Sequence, residues 1–69
     1  MRYFKIEYSK GPSEKTMIID VFADNPREAI EQAGLLNAWE YTVSEEITRK
    51  LGSRLIVLSI ELIRRTGRR

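Results

Sequence analysis

Histidine and cysteine do most proton transfer and nucleophilic attack near neutral pH, and this sequence of 69 residues contains neither. The groups left for chemistry are carboxylates, serines, lysines and tyrosines. Asp20 and Asp24 are the pair whose spacing comes nearest to a cation site. Four apart on a strand, they point to one side but stand about 13 Å apart along the chain, too far to share one hard cation without a bulge. Glu45 and Glu46 read more simply as acidic residues in the first turn of a helix, where they complement its dipole. Gly11, Gly34, Gly52 and Gly67 are isolated, with no GxGxxG or GxxxxGK[ST] arrangement to cradle a phosphate. The residues therefore point to no catalytic centre, no metal, no cofactor and no small-molecule substrate. The expected function is binding.

Two sets of residues are candidates for it. Arg49, Lys50 and Arg54 precede the last apolar segment, and Arg64, Arg65, Arg68 and Arg69 follow it, enough positive charge to engage several phosphates with salt-sensitive affinity. Residues 1 to 48 carry five Lys/Arg and nine Asp/Glu, a net −4, whereas residues 49 to 69 carry seven and one, a net +6. A split of this kind fits a nucleic-acid contact, docking on an acidic protein, or a basic end that is only solubilising. Tyr3, Phe22, Trp39 and Tyr41 are not interleaved with the arginines, as stacking aromatics would be in a single-strand binder. The second set is apolar. Tyr3, Ile18, Phe22, Val57 and Ile63 fall on the side of their strands opposite the main alternation, where a protein with one helix exposes them as a candidate protein interface. Cover from the segment around Trp39, or from a second helix, is the alternative.

The elements that must position these residues follow from periodicity. Arg2 to Ser9 alternates, with Phe4, Ile6 and Tyr8 on one side, the period of a half-buried strand. Lys10-Gly11-Pro12-Ser13-Glu14 collects turn formers, and Thr16 to Ala23 resumes the alternation, so the two strands form a hairpin. Asn25-Pro26-Arg27-Glu28 marks a helix start, with a cap, a proline at the first position and a capping-box glutamate. A narrow stripe of Ala29, Ile30, Ala33 and Leu36 follows, with Gly34 a cost inside the helix and Asn37 its stop.

Residues 42 to 51 admit two readings. As a short helix they have a Thr42 cap, Glu45 in the box, and Glu45/Arg49 and Glu46/Lys50 pairs at the favoured spacing. As a strand, Trp39, Tyr41, Val43, Glu45 and Ile47 alternate with their neighbours, and Leu51-Gly52-Ser53 turns into the next strand. The capping signals tilt the balance to the helix. Arg54 to Arg65 is a strand whose length and apolar content point to a central position, with Ile56, Leu58, Ile60 and Leu62 on one face and Val57, Ser59, Glu61 and Ile63 on the other. The expected fold is α+β: an antiparallel sheet of three to four strands in the order β-β-α-(α or β)-β, with one main helix on one face. Residues 1 to 63 form the domain and residues 64 to 69 a flexible basic tail.

A chain this short buries only about 60% of its unfolded surface. Without disulfides or a metal, a second subunit or a partner protein is the support that remains, so a homo-oligomer is expected. Met1-Arg2-Tyr3-Phe4-Lys5 shows no export signal. Leu55 to Ile63, nine residues including Ser59 and Glu61, falls short of the roughly 20 apolar residues of a spanning helix. A cytoplasmic location is the expectation, which the lack of cysteine fits.

The run Ile18-Ile19-Asp20-Val21-Phe22-Ala23-Asp24-Asn25-Pro26-Arg27-Glu28-Ala29-Ile30-Glu31-Gln32-Ala33 resembles a strand-to-helix joint common in very small proteins of phages and mobile elements. Some anti-CRISPR proteins are similar in length and in their hairpin, helix, further-strand order. The resemblance covers about half the chain and carries no site residues. It implies a non-enzymatic inhibitor that binds and occludes a host protein complex, often at a nucleic-acid-binding surface. The alternative is a small nucleic-acid-binding protein using the basic C-terminal end.

Overall fold

A computed structural model describes residues 1–66. Four strands and one helix follow in the order β1 (Arg2–Ser9), β2 (Met17–Ala23), α1 (Pro26–Ala33), β3 (Glu40–Leu51) and β4 (Arg54–Arg65). They form one antiparallel sheet of order β2-β1-β3-β4. The β1–β2 hairpin sets Phe4 against Val21 and Ile6 against Ile19, so both alternations place their apolar residues on one face. Ser9 is buried at the end of β1. Its hydroxyl donates to the Gly11 carbonyl at 2.6 Å, which secures the start of the intervening loop.

The helix start follows the sequence in its cap and its proline, but the Glu28 carboxylate turns to Gln32 instead of closing the expected capping box. Asn25 is extended, and its side chain accepts from the Glu28 amide at 2.8 Å. The Glu28 carboxylate accepts from the Gln32 side chain at 2.8 Å. The helix ends earlier than expected. Gly34, which reads in the sequence as an interior cost, adopts φ 71° just past Ala33. The Gly34 amide reaches the Glu31 carbonyl and the Leu35 amide the Ile30 carbonyl, each at 3.1 Å. This is a Schellman stop, with Leu35 buried beside Ile30 as its hydrophobic contact.

Residues 42 to 51 are a strand, and the helical reading is overturned. Val43 sits between Ile6 of β1 and Ile63 of β4 and is fully buried. Burying one such side chain is worth about 1.5–3 kcal/mol, and two ladders add to it, whereas each i,i+4 pair offers only about 0.2–0.5 kcal/mol. The sheet therefore has four strands. Trp39 enters it through its amide, which donates to the Ser9 carbonyl at 2.9 Å.

β4 lies at the edge of the sheet rather than its centre. Its apolar content on both faces belongs to a long hairpin instead. Gly52 takes φ 63° while Ser53 does not have positive φ, the pattern of a type II′ two-residue loop, whose twist suits a hairpin. Arg64 and Arg65, read as the start of a tail, are the last residues of β4.

The core lies between the sheet and α1. Phe4, Ile6, Ala23, Ala29, Ile30, Leu35, Ala38 and Val43 are buried together, with Tyr8, Ile19, Val21, Ala33, Tyr41 and Ile63 packed around them. Helix α1 packs over β2, β1 and β3. The outer half of the β3–β4 hairpin has no helix above it and extends as an arm. The principal extents are 48, 23 and 15 Å and the radius of gyration is 13.3 Å, against about 11 Å for a compact chain of this length. No helix among the described residues is long and apolar enough to cross a membrane.

Candidate interaction surfaces

The ladder between β3 and β4 contains a bulge. Val43 pairs with Ile63, yet Ser44 pairs with Glu61, so Leu62 is an extra residue and the alternation of β4 changes sense there. Ile63 consequently faces the helix and packs against the core, instead of joining Val57 on the opposite face as strict alternation predicts. The same shift puts Ile60, Leu58 and Ile56 on the helix side of the arm, opposite Glu45, Ile47 and Arg49. Beyond the helix, the core face thus continues as an aliphatic stripe in which Leu58 is 40% and Ile60 46% exposed.

The opposite sheet face carries the other predicted residues in two places. Tyr3 and Phe22 are directly paired across β1 and β2 with ring centroids 5.1 Å apart, and Ile18 lies on the same strand face, well exposed. Hydrogen bonding to Asp20 pushes the Tyr3 phenol above its ordinary value, with desolvation and the negative charges of Asp20 and Glu46 acting in the same direction. Val57 stands apart on the arm, paired with Thr48. Between them the face is polar. The Lys5 ammonium lies 3.5 Å from Glu46 and 3.9 Å from Glu7, and the Ser59 hydroxyl donates to Glu46 at 3.0 Å. Tyr3, Ile18 and Phe22 form a patch that Val57 and Ile63 do not share.

The basic residues are divided as well. Arg49, Lys50 and Arg54 are exposed near the tip of the arm, Arg49 and Arg54 on its helix side and Lys50 on the other. Among the described residues none of them enters an ion pair. Arg64 and Arg65 stand ten and eleven residues along β4 from Arg54, about 34 Å away. Arg64 pairs with Glu61 at 2.8 Å. Arg65 donates to the Leu36 carbonyl at 2.6 Å and lies 5.9 Å above the Tyr41 ring, at an open cleft of mixed charge also lined by Tyr8 and Glu40. Arg68 and Arg69 lie outside the described residues. The five described basic residues therefore do not form one patch.

No family model, curated protein or solved structure matches this chain. Its surfaces must be interpreted from their own chemistry.

Sequence reasoning missed one residue of consequence, Arg2. Its guanidinium forks onto Glu45 of β3 at 2.7 and 3.1 Å, donates to the Asp24 carbonyl at 3.2 Å, and lies 5.3 Å above the Phe4 ring. Hydrogen bonding to Arg2 holds the Glu45 carboxyl below its ordinary value, and the same bond raises Arg2. Sequence distance hides this contact, because 43 residues separate the partners.

Proposed function

We propose that this chain is a non-enzymatic interaction protein that acts by covering a surface of a protein partner, as an inhibitor of a host complex would. One observation carries the reading: the aliphatic stripe of Ile47, Ile56, Leu58 and Ile60 runs out of the core onto an arm with no layer above it. A contiguous exposed apolar surface rimmed by charge is the mark of a protein interface. The rim here is Glu45 at the base and Arg49 and Arg54 at the tip. The test is capture of partners on the immobilised chain, followed by calorimetric titration of the purified partner. Leu58→Arg should weaken that binding at least tenfold. Unchanged affinity in that variant would refute the reading.

A second reading, binding of a polyanion, is favoured by the three cations gathered at the arm tip. It makes a separate prediction for oligonucleotides. Replacing Arg49, Lys50 and Arg54 by alanine should flatten the slope of log affinity against log salt by roughly 2 to 3. An unchanged slope would exclude the tip from nucleic-acid contact.

A further inference from the structure

We infer that the occupant of the arm is a second copy of this chain, packed arm against arm on the helix-side faces about a twofold axis near Ile47 and Leu58. The inference rests on the reading of the chain as an interaction protein and names its partner.

Three observations lead to it. First, a two-stranded ribbon is marginal in water by itself, and on its helix-side face this one leaves Leu58 40% and Ile60 46% exposed. Second, the chain exposes more surface than a compact monomer of its size. A compact monomer of 8.1 kDa should expose roughly 4,500 Å², and the chain exposes 5198 Å². The difference, about 700 Å² over both faces of the arm, is of the order of the roughly 800 Å² that each partner gives to a standard interface.

Third, the stripe is complementary to itself. Along the helix-side face the cross-strand pairs run Glu45 with Ile60, Ile47 with Leu58, and Arg49 with Ile56. A twofold through the middle pair, parallel to the sheet and across the strands, sets Leu58 over its own copy and Ile56 over the partner copy's Ile60. It also sets Arg49 over the partner copy's Glu45. The opposed faces are then aliphatic at the centre, with Arg49 at each end facing the partner copy's Glu45, the carboxylate that Arg2 forks, in the self-complementary pattern of an isologous contact. The alternative twofold along the strands would bring the two basic tips together, which like charges oppose.

The experiment is light scattering of the full chain over a concentration series, with variants placed on the two faces of the same strand. The expected mass is twice 8.1 kDa. Leu58→Arg should weaken self-association at least tenfold, and Val57→Arg, on the opposite face, should leave it intact. Arg49→Glu, at an exposed tip position, should weaken it without touching the core and so separates loss of the contact from loss of the fold. Monomers throughout the series would overturn the inference, as would equal disruption by Val57→Arg and Leu58→Arg. A monomer that still binds a different protein through Leu58 would overturn the dimer while leaving the proposed function standing.

Discussion

Arg2 joins three strands through one side chain. It is on β1, its carboxylate partner is on β3, and the Asp24 carbonyl it reaches lies just past β2. The fork fixes how the central strand sits between its neighbours, because a bidentate guanidinium pair has a defined geometry. Its linkage to pH has one sign. Glu45 titrates lower folded than unfolded, so its stabilisation is fully present above the ordinary value of 4.5 and is lost as pH falls through the folded value. Thermal melts of Glu45→Gln should accordingly depend less on pH in the acid range than those of the parent chain. An identical acid profile would show that the pair contributes nothing. Gly34 makes a sharper prediction. A Cβ there meets no atom within 4 Å, so the cost of Gly34→Ala is that of the left-handed backbone alone, about 1–2 kcal/mol. Denaturant midpoints would read it.

At the scale of elements, the bulge at Leu62 decides which face Ile63 occupies. Deleting Leu62 leaves Glu61 opposite Ser44 and Ile63 opposite Val43, so every remaining side chain keeps its face. The deletion variant should fold with Ile63 still protected, and loss of the native spectrum would refute the bulge as the sole irregularity in that ladder. The hairpin, the helix start and the inward residues of β1 and β2 were legible in the sequence because they depend on neighbours two to four positions away. The bulge was not, since an extra residue leaves no local mark and appears only against the partner strand. The identity of residues 42 to 51 was hidden for the same reason: Val43 is buried by Ile6 and Ile63, one far before it and the other beyond a turn. The pairing of exposed Phe22 with half-buried Tyr3 on the face away from the helix was readable from alternation alone, whereas the grouping of basic residues into a tip and a base required the length of the arm.

For the whole molecule, the division of labour is between a covered half and an open half. Phe4, Ile6, Ile30 and Val43 are the largest fully buried side chains, and all belong to the half beneath or within α1. Phe4→Ala should cost about 3–5 kcal/mol, which in a domain this small removes most or all of its stability, so the variant should lose its cooperative melt. Substitutions on the arm should instead leave the melt of the monomer nearly unchanged and alter only association. Comparing the two classes of variant by calorimetry and by mass separates folding from binding.

The free side of β4 has a chemical consequence for handling and for the cell. An antiparallel edge leaves alternate amides and carbonyls unpaired, and Leu55-Ile56-Val57-Leu58-Ser59-Ile60 combines strong strand preference with no charge and no proline, the composition of fibril-forming segments. Glu61 and the extra Leu62 end that segment with a charge and a break in regular pairing, two devices that keep one edge from templating the next. Removing the charge by Glu61→Val should therefore hasten thioflavin-positive aggregation at concentrations where the parent chain stays clear. The apolar segment of the edge strand is thus bounded by Arg54 at one end and by Glu61 and the bulge at the other.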